Sequence, residues 1–285
     1  MILFKRAADL AVWLEKQRSS GKRIGFVPTM GALHDGHISL ITISKRSTDW
    51  KVCSIFVNPT QFNDPADFTK YPITLEKDIP MLEQAGVDVL FLPAVGEMYP
   101  DGTRGLETYD LGPLETLLEG KYRPGHFQGV AQVMRRLLEK VRPDDLFMGS
   151  KDYQQCMVVQ RLLGIMGLPA KLHRCPIIRE ADGLAMSSRN VRLSPEQRAN
   201  ATAIFRALTA IKTGFSAQPF PTLIDNANHI LEAAGFRIDY VSIADAQTLE
   251  AVPGPSPNGT VALIAAFQGD VRLIDNMVLA EPSIS

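Results

Sequence analysis

Residues 23–40, RIGFVPTMGALHDGHISL, decide the fold that we expect for this chain. The segment begins with an apolar run of strand length, is interrupted at Pro28 and Gly31, and resumes with helical periodicity at Ile38. A strand, a short turn and a helix form the repeating unit of parallel α/β proteins. Residues 34–37 then fall at or beside a helix N-terminus, where backbone N–H groups and the helix dipole favour an anion.

The same alternation continues through about the first 175 residues. The further strand-like runs are KVCSIFVN (51–58), VDVLFLP (87–93), DLFMG (145–149) and CPIIRE (175–180), and the helix-like runs are HISLITISKRS (37–47), QGVAQVMRRLLEKV (128–141) and YQQCMVVQRLLGIMG (153–167). This order predicts an α/β fold with a doubly wound, Rossmann-like parallel sheet. Ligands are expected beyond the carboxyl ends of its strands.

A second, smaller α+β domain is predicted toward the C-terminus. After Asn190 an amphipathic helix is expected, with Ser194 as its N-cap and Pro195 at its first position. Another helix to Ala234 follows, then the strand FRIDYVSIADA (236–246) and a hairpin of TVALIAAF (260–267) and VRLIDNMVL (271–279). We expect domains at residues 1–176 and 177–285, the second acting as a lid that shields the site from water.

Composition restricts the classes of partner. Lys and Arg number 30 against 31 Asp and Glu, so a net charge of -1 provides no general attraction for nucleic acid or a membrane surface. Three dispersed cysteines without a CxxC pair argue against disulfides and structural zinc. No signal peptide and no apolar run of bilayer length is recognised. These features predict a soluble cytoplasmic protein.

The paired histidines are the first candidate for chemistry. His34 and His37 stand three apart on one helical face, so both imidazoles can donate to the same phosphate oxygens. Gly36 between them lets a base or phosphate approach the backbone. A nucleotide site is favoured, and a surface pair or half of a metal site remains as the alternative.

Two further motifs carry charge near predicted element ends. GSKDYQQ (149–155) opens a helix with Lys151 directed at the strand-end crevice, although a plain capped helix start would use the same residues. AMSSRN (185–190) offers two hydroxyls and a guanidinium to a polyphosphate, and its alternative is a solvated loop with a capping serine.

An amide is the fourth candidate. In IFVNPTQF (55–62) a strand ends at Asn58–Pro59, and Gln61 lies in the following turn. Its amide can both donate and accept, which suits a hydroxyl and a carboxylate of a small substrate, whereas a turn-stabilising role is the alternative. In KYRPGH (121–126), Arg123 and His126 either touch substrate or belong to a turn before the next helix.

Together these motifs resemble the pantothenate synthetase (pantoate-beta-alanine ligase) family. The resemblance rests on PTMGALHDGH, FVNPTQF, KYRPGHFQGV, GSKDYQQ and DGLAMSSRN, in this order over residues 28–190. It implies membership of the nucleotidyltransferase superfamily with an HxGH motif, here residues 34–37, whose core is similar to that of class I aminoacyl-tRNA synthetases. The KMSKS loop of those synthetases corresponds to MSSR (186–189), in which Arg189 supplies the charge.

The resemblance also implies roles for individual residues. The residues expected to bind ATP are Met30, Gly31, Ala32, Leu33, His34, Asp35, Gly36, His37, Gly149, Ser150, Lys151, Asp152, Ile178, Met186, Ser187, Ser188 and Arg189. Gln61 and Gln155 are expected to hold pantoate, with Gln61 also near beta-alanine. His37 is the expected catalytic histidine, assisted by His34, Lys151 and Arg189. No resident protein metal site is implied.

The implied reaction joins (R)-pantoate to beta-alanine through pantoyl adenylate, giving (R)-pantothenate, AMP and pyrophosphate. ATP is the co-substrate with Mg2+, and a homodimer is what the family suggests. Pro28, Met30 and Phe62 are expected to form an apolar wall for the methyl groups of pantoate. The alternatives are another HxGH adenylyltransferase that needs no amine, a nucleotide-binding module without turnover, and a tRNA ligase. The balanced charge and the lack of an anticodon-binding extension argue against the last.

Overall fold

A computed structural model describes residues 1–62 and 65–282. Its strands are β1 Ile2–Phe4, β2 Ile24–Thr29, β3 Trp50–Ile55, β4 Val89–Phe91, β5 Asp145–Gly149, β6 Lys171–Cys175, β7 Arg237–Asp245, β8 Thr260–Gln268 and β9 Val271–Ala280. Its α-helices are α1 Ala7–Ser19, α2 Asp35–Ser44, α3 Pro65–Thr69, α4 Leu75–Gln84, α5 Val95–Met98, α6 Leu118–Tyr122, α7 His126–Val141, α8 Tyr153–Met166, α9 Pro195–Asn200, α10 Ala203–Gly214 and α11 Phe220–Ala233. Within those residues, no helix combines the length and the apolarity needed to cross a membrane.

Two compact units make up the chain. The N-terminal unit contains Met1–Glu115, Arg123–Ser150 and Gln155–Pro176. The C-terminal unit contains Thr116–Tyr122, Lys151–Gln154 and the chain from Ile177 onward. Two short segments that precede residue 177 in the sequence therefore belong to the C-terminal unit.

The N-terminal unit is a six-stranded parallel sheet in the order β1-β4-β3-β2-β5-β6. From β2 the order runs outward through β3 and β4 on one side and β5 and β6 on the other, with β1 added at the β4 edge, so the doubly wound fold class predicted from sequence is confirmed. β2 pairs with β3 along its whole length, but with β5 only at Gly25 and Phe26. The carboxyl halves of β2 and β5 are not paired with each other, which is where such folds bind ligands.

Pro28 lies beyond the last paired position of β2 with β5. Proline has no backbone N–H to give to a ladder, so its place where one neighbour has ended is compatible with a central strand. Gly31, with a φ of 81°, turns the chain out of the strand. The break predicted at Gly31 is therefore confirmed, whereas the interruption predicted at Pro28 is wrong: Pro28 lies within β2, in register with Ser54 of β3.

Helix α2 is anchored by its apolar face. Leu40 and Ile41 are buried in one cluster with Val27 of β2 and Phe147 of β5. Each such side chain contributes roughly 1.5–3 kcal/mol when fully buried. This packing fixes the helix against the sheet and leaves its N-terminus at the carboxyl end of β2.

The C-terminal unit is an antiparallel sheet in the order β7-β8-β9, packed against α10 and α11. β8 is central and almost wholly buried. One face of it, formed by Ala262, Ile264 and Ala266, shares a cluster with Leu208 of α10 and Leu231 of α11. The predicted hairpin at residues 268–270 is present, with Gly269 at a φ of 59°.

Three details of the sequence interpretation are corrected. The last parallel strand is Lys171–Cys175 and ends before Pro176, whereas CPIIRE had been predicted as a strand. The helix predicted after Ser194 is two helices, α9 and α10, although Ser194 caps the first by accepting the Gln197 N–H at 3.2 Å. β1 was not predicted, because three residues at the sheet edge give no periodic signal.

Candidate active site

The predicted HxGH residues cap the helix that follows β2. His34 is the N-cap of α2, and its Nδ1 accepts the Gly36 N–H at 3.2 Å. The Nδ1 of His37 accepts the His34 N–H at 3.3 Å, and the two ring centroids lie 4.2 Å apart. Because both Nδ1 atoms accept, the neutral imidazoles carry their protons on Nε2, the atoms that can donate to an anion.

This geometry corrects one step of the sequence argument. Unpaired backbone N–H groups were expected to face the anion, but those of His34 and Gly36 donate to the imidazoles, and that of His37 donates to the His34 carbonyl at 2.8 Å. The Nε2–H groups and the dipole of α2 remain as the means of attracting a phosphate.

The loop between β2 and α2 is held by a residue that sequence reasoning missed. Asp78 of α4 accepts the N–H groups of Ala32 and Leu33, each at 2.9 Å. Gly31 is tied back to β2, since its N–H donates to Thr29 Oγ1 at 3.2 Å. Nothing in the local sequence around Asp78 indicates a partner more than 40 positions away.

Gln61 lies at the end of the short 3-10 helix Pro59–Gln61, beside Met30. Its Nε2 is 3.1 Å from Met30 Sδ, and its Oε1 accepts from Asn58 Nδ2 at 3.1 Å. Asn58 is buried and also bonds the Tyr99 hydroxyl at 2.7 Å and the Gly129 carbonyl at 3.1 Å. The Gln61 amide is therefore orientated by neighbours, as a substrate-binding amide requires.

Close packing holds this turn against α7. A Cβ on Gly129 would lie 2.3 Å from the Thr60 carbonyl oxygen, so only glycine allows the approach. Phe62, the next residue after the 3-10 helix, stacks edge-on against Phe68 and Tyr71 at ring distances of 5.2 and 5.8 Å.

Arg123 and His126, whose role the sequence leaves open, are hydrogen-bonded to each other beside Gln61. His126 Nδ1 lies 2.8 Å from the Gln61 carbonyl oxygen, and its Nε2 lies 3.1 Å from Arg123 Nη1. A carbonyl can only accept and a guanidinium can only donate, so the imidazole is protonated on Nδ1. The pair reaches the main chain of Gln61 and is more than an isolated turn.

The remaining pantoate candidate, Gln155, is half-buried in the first turn of α8, within the N-terminal unit. Gly149 and Ser150 also belong to that unit, at the end of β5. Lys151 and Asp152 belong to the C-terminal unit, so the predicted ATP-binding residues are divided between the two units.

In the C-terminal unit, Lys151 is held by its main chain. Its carbonyl accepts from Asn276 Nδ2 of β9 at 2.9 Å, and its Nζ lies 3.6 Å from the Asp152 carboxylate. Lys151, Ser187 and Asn190 line a small cavity of about 20 Å³ within this unit. The ammonium is thus next to the hydroxyl-bearing loop that the sequence singled out.

The loop MSSR follows a tight antiparallel turn in which Arg179 and Ala185 are bridged. The Met186 N–H donates to the Ile178 carbonyl at 3.0 Å, which brings two predicted ATP-binding residues together. Ser187 caps the 3-10 helix Ser188–Arg192 by accepting the Arg189 N–H at 3.2 Å. The capping role weighed as an alternative for this loop is therefore real, and it leaves Ser188 and Arg189 half-buried.

Two buried ion pairs support these segments. Arg179 binds both carboxylate oxygens of Asp275, at 2.6 and 3.1 Å. Arg272 does the same with Glu119 of α6, with both distances at 2.7 Å. Burial would lower the pKa of Arg272, but Glu119 and Asp239 together hold it above its usual range. Sequence reasoning missed both pairs because their partners are distant along the chain.

The alternative that the paired histidines form half of a metal site requires a third ligand nearby. Among the residues that the structure describes, no group of three His, Cys, Asp or Glu side chains has such an arrangement. His34 and His37 are therefore not part of a three-ligand site within that portion of the chain.

A doubly wound parallel sheet, with an HxGH motif opening the helix after a central strand, is typical of the class of α/β nucleotide-binding proteins. The family model described as pantoate-beta-alanine ligase matches residues 2–278. The chain belongs to the pantoate-beta-alanine ligase family. The family resemblance inferred from the sequence is thereby confirmed, and with it the assignment as a ligase.

Individual relatives match this chain over nearly their whole length. The pantothenate synthetase of Pseudomonas fluorescens (strain Pf0-1) is 46% identical over 277 residues, 96% of this chain and 96% of that protein. The crystal structure of pantothenate synthetase from Thermus thermophilus is 40% identical, covers 98% of this chain and 100% of that one, and has a TM-score of 0.92. The pantoate-beta-alanine ligase of Francisella tularensis, solved with beta-gamma ATP and beta-alanine, is 35% identical with a TM-score of 0.80 and 98% coverage of both chains.

Proposed function

We propose that this ligase condenses (R)-pantoate with beta-alanine at the expense of ATP, through a pantoyl-adenylate intermediate. The observation that carries the proposal is the pair of imidazoles at the start of α2, whose Nδ1 atoms accept backbone N–H groups and whose Nε2 atoms can donate, in a chain of this family. Solved relatives support the choice of ligands, since the Francisella enzyme was crystallised with an ATP ligand and beta-alanine.

In the first step a carboxylate oxygen of pantoate attacks the α-phosphorus of ATP. The bond from that phosphorus to the bridging oxygen breaks, and pyrophosphate leaves. Negative charge increases on the phosphate oxygens, so the chain's role is to provide donors and cations there. His37 and His34 are proposed to donate from Nε2, and their removal is expected to slow this step by about 10²–10³-fold each, the effect of deleting an oxyanion donor.

The C-terminal unit is proposed to supply the cations. Lys151 is held through its carbonyl by Asn276, and the segment with Arg189 is shaped by the Ser187 cap and by the hairpin with Ile178. Such support fixes the main chain while leaving the charged ends to meet phosphates. We propose that Ser187, Ser188 and Arg189 bind the polyphosphate and that the backbone at Ile178 meets the adenine.

Mg2+ is proposed to arrive bound to the phosphates of ATP. Its preferred ligands are oxygens, and it commonly binds through substrate phosphates and waters. The described residues contain no cluster that would form a cage of protein ligands, which suits a metal carried by the nucleotide. Loss of turnover on chelation, restored by added Mg2+ without a slow phase, would support this.

Pantoate recognition is proposed to depend on Gln61 and Gln155. An amide at each position can pair with a hydroxyl or a carboxylate, and a buried amide left without its partner is unfavourable by about 1–3 kcal/mol. The fixed orientation of Gln61, held by Asn58 and through its carbonyl by His126, supports this role. Pro28, Met30 and Phe62 are proposed to contact the methyl groups.

In the second step the neutral amine of beta-alanine attacks the acyl carbon of pantoyl adenylate. The bond from that carbon to the AMP oxygen breaks, AMP leaves, and the amine loses a proton as the amide forms. The departing AMP phosphate is a suitable acceptor for that proton. His34, His37 and Lys151 would again bind the phosphate, whose charge is higher after the bond breaks.

The test is exchange of labelled pyrophosphate into ATP, measured with and without pantoate. We expect exchange only when pantoate is present, and release of AMP from the pre-formed adenylate only when beta-alanine is added. An adenylyltransferase that needs no amine would form a stable dinucleotide, and a binding module would show no exchange at all. Exchange independent of pantoate would refute the proposal.

We also propose three properties of the whole protein: its assembly, its location and its lack of a nucleic-acid partner. A homodimer, a cytoplasmic location and the absence of a nucleic-acid partner are supported by the family resemblance and by the balanced net charge of -1. Sedimentation at several concentrations tests the first. Retention on a heparin or RNA column at physiological salt would contradict the last.

Residues 177–285 are further proposed to act as a lid, with the domain boundary near residue 176. A lid would exclude water from the hydrolysable adenylate. Small-angle scattering with and without ATP and pantoate measures whether the radius of gyration decreases on binding.

A further inference from the structure

One buried carboxylate in the N-terminal unit has no role in the reaction described above. Asp78 lies on α4 with 1% of its surface exposed. Its carboxylate accepts hydrogen bonds from neutral donors. A buried carboxylate without a cation is unfavourable unless neutral donors satisfy it, so its partners identify what it does.

Those partners belong to the loop before the HxGH motif. The carboxylate accepts the N–H of Ala32 through Oδ2 and that of Leu33 through Oδ1, both at 2.9 Å. The hydroxyl of Thr74, at the start of α4, donates to Oδ1 at 3.1 Å. Two consecutive N–H groups that converge on one anion form a backbone concavity of the kind that binds anions.

The loop needs this support because its backbone is unusual. Gly31 and Ala32 are consecutive residues with positive φ, 81° and 48°. An alanine in the left-handed region is unfavourable by roughly 1–2 kcal/mol, because its Cβ approaches the following carbonyl oxygen. Hydrogen bonds to a charged acceptor can offset a penalty of that size, since each contributes about 1.5–3 kcal/mol.

The chain runs from this loop directly into His34, the N-cap of α2. We propose that Asp78 is a positioning residue for the adenylate-forming step: by fixing residues 31–33, it places His34 and His37 where their Nε2 atoms meet the phosphates. The inference rests on the proposed function, and it assigns a role to a residue that does not itself touch ATP.

If Asp78 acted only through its charge, Asp78→Asn should improve the reaction of ATP, whereas a positioning role predicts that it impairs it. A negative charge near a phosphate site opposes ATP binding, so its neutralisation in Asp78→Asn would tighten ATP if charge were all that mattered. Positioning predicts slower adenylate formation instead, because an Asn amide facing the Ala32 N–H or the Leu33 N–H would place donor against donor and displace the loop. The sign of the change therefore separates the two roles.

The experiment compares Asp78→Asn with Asp144→Asn in the full chain. Asp144 is exposed and is the control for the loss of a carboxylate that accepts a backbone N–H: it accepts that of Ile24 at 2.6 Å, at the opposite end of β2. Pantoate-dependent pyrophosphate exchange is measured well below each melting temperature. We expect kcat of Asp78→Asn to fall about 10- to 100-fold, the effect of misplacing a catalytic group by about 1 Å, with KM for pantoate changed less than threefold. Asp144→Asn should stay within about twofold of wild type.

A double-mutant cycle with His37→Ala tests whether Asp78 acts through the histidines. If it does, the loss in the double variant is smaller than the product of the two single losses, since the contribution of His37 can be lost only once and only His34 remains to be misplaced. Multiplied losses, or normal exchange in Asp78→Asn, would overturn the inference. If Asp78→Asn does not fold, Thr74→Val removes one of the carboxylate's three bonds and should give a smaller loss in kcat; unchanged kcat there would equally overturn it. Wild type without pantoate-dependent exchange would instead refute the proposed function.

Discussion

The two units hold their candidate residues by different physical means. In the N-terminal unit, hydrogen bonds to nearby side chains and backbone fix His34, His37 and Gln61. The loop at residues 31–33 is held by the carboxylate of Asp78. In the C-terminal unit, Lys151 and Ser187 are also held by hydrogen bonds, but ion pairs to buried carboxylates are added. Arg179, bridged to Ala185, binds Asp275 of β9, and Arg272 of the same strand binds Glu119 of α6. A single hydrogen bond orientates its groups but contributes little to the free energy of unfolding. Breaking an ion pair with a buried member leaves a charge without its partner, which is far more destabilising.

This difference implies that mutations in the two units should have separable effects. Substitutions in the N-terminal set should reduce rate with a small loss of stability. Substitutions in the buried pairs should reduce stability first, and rate only as a consequence. The predictions below test that separation.

The largest effect is expected at Glu119. Its carboxylate binds Arg272 in two bonds of 2.7 Å and accepts the Tyr240 hydroxyl at 3.0 Å. Glu119→Ala leaves the half-buried Arg272 guanidinium paired with Asp239 at 2.8 Å, and we expect a loss of about 3 kcal/mol in the free energy of unfolding, the lower end for a broken buried pair. Denaturant titration followed by circular dichroism measures it.

Glu139→Ala is the control for that loss. Its pair with Arg135 is exposed and spans one helical turn, with 42% and 49% of the two side chains accessible. Such pairs contribute about 0.3–0.5 kcal/mol. Equal destabilisation of the two variants would contradict the distinction between buried and surface pairs in this chain.

His37→Ala should affect rate without a comparable loss of stability. The imidazole accepts one backbone N–H at 3.3 Å, a weak bond whose loss is expected to reduce stability by about 1 kcal/mol. Removal of its donor should slow pantoate-dependent pyrophosphate exchange by about 10²–10³-fold. Near-normal exchange in a folded variant would refute the role of His37 and weaken the contrast between units.

The contrast also explains what could be predicted from the sequence. The strand, turn and helix around residues 23–40 follow from local signals, namely Pro28, Gly31 and the periodicity from Ile38, so both the fold class and the HxGH placement were accessible. Asp78 acts on residues 45 and 46 positions away, and Glu119 on a residue 153 positions away. Such contacts depend on tertiary packing, which hydrophobic periodicity does not encode.

Edges and breaks were the other source of error. β6, with the sequence KLHRC, is an edge strand that is only partly buried, so it lacks the apolar run by which central strands are recognised. The break between α9 and α10 falls at Ala201–Thr202 without proline or glycine to mark it. Nothing in the local chemistry predicts either feature.

A third prediction concerns substrate affinity. Gln155→Ala should raise KM for pantoate about tenfold and leave KM for ATP within about twofold, because loss of one hydrogen-bonding amide to a hydroxyl contributes about 1–1.5 kcal/mol. Gln154→Ala, one residue earlier, is the matched comparison. Its amide binds the Leu117 carbonyl at 2.9 Å and the Glu119 N–H at 3.1 Å, so its loss should lower stability and leave both KM values unchanged. Parallel changes in both KM values for Gln155→Ala would count against its assignment to pantoate.

The smallest effect concerns acid stability, and it applies the comparison to one carboxylate in each unit. The Arg136 guanidinium lowers the pKa of Glu107 in the N-terminal unit to about 2. In the C-terminal unit burial acts to raise the pKa of Asp245, but bonds from the Ser256 hydroxyl, two backbone N–H groups and the Asn258 amide outweigh it and hold the pKa at about 2. Both values are below those of the unfolded chain, near 4, so each carboxylate stabilises the folded state above about pH 4.

That stabilisation should be lost as pH falls from about 4 to 2, and salt should separate the two contributions. Glu107 depends on a partly exposed cation, which mobile ions screen, whereas Asp245 depends on neutral donors inside the fold. We expect Glu107→Gln and Asp245→Asn each to flatten the dependence of unfolding free energy on pH in this range. In about 1 M NaCl the difference between wild type and Glu107→Gln should shrink, while that between wild type and Asp245→Asn should persist. A salt response of the same size in both variants would mean that charge pairing, and not the kind of donor, determines the acid stability of both units.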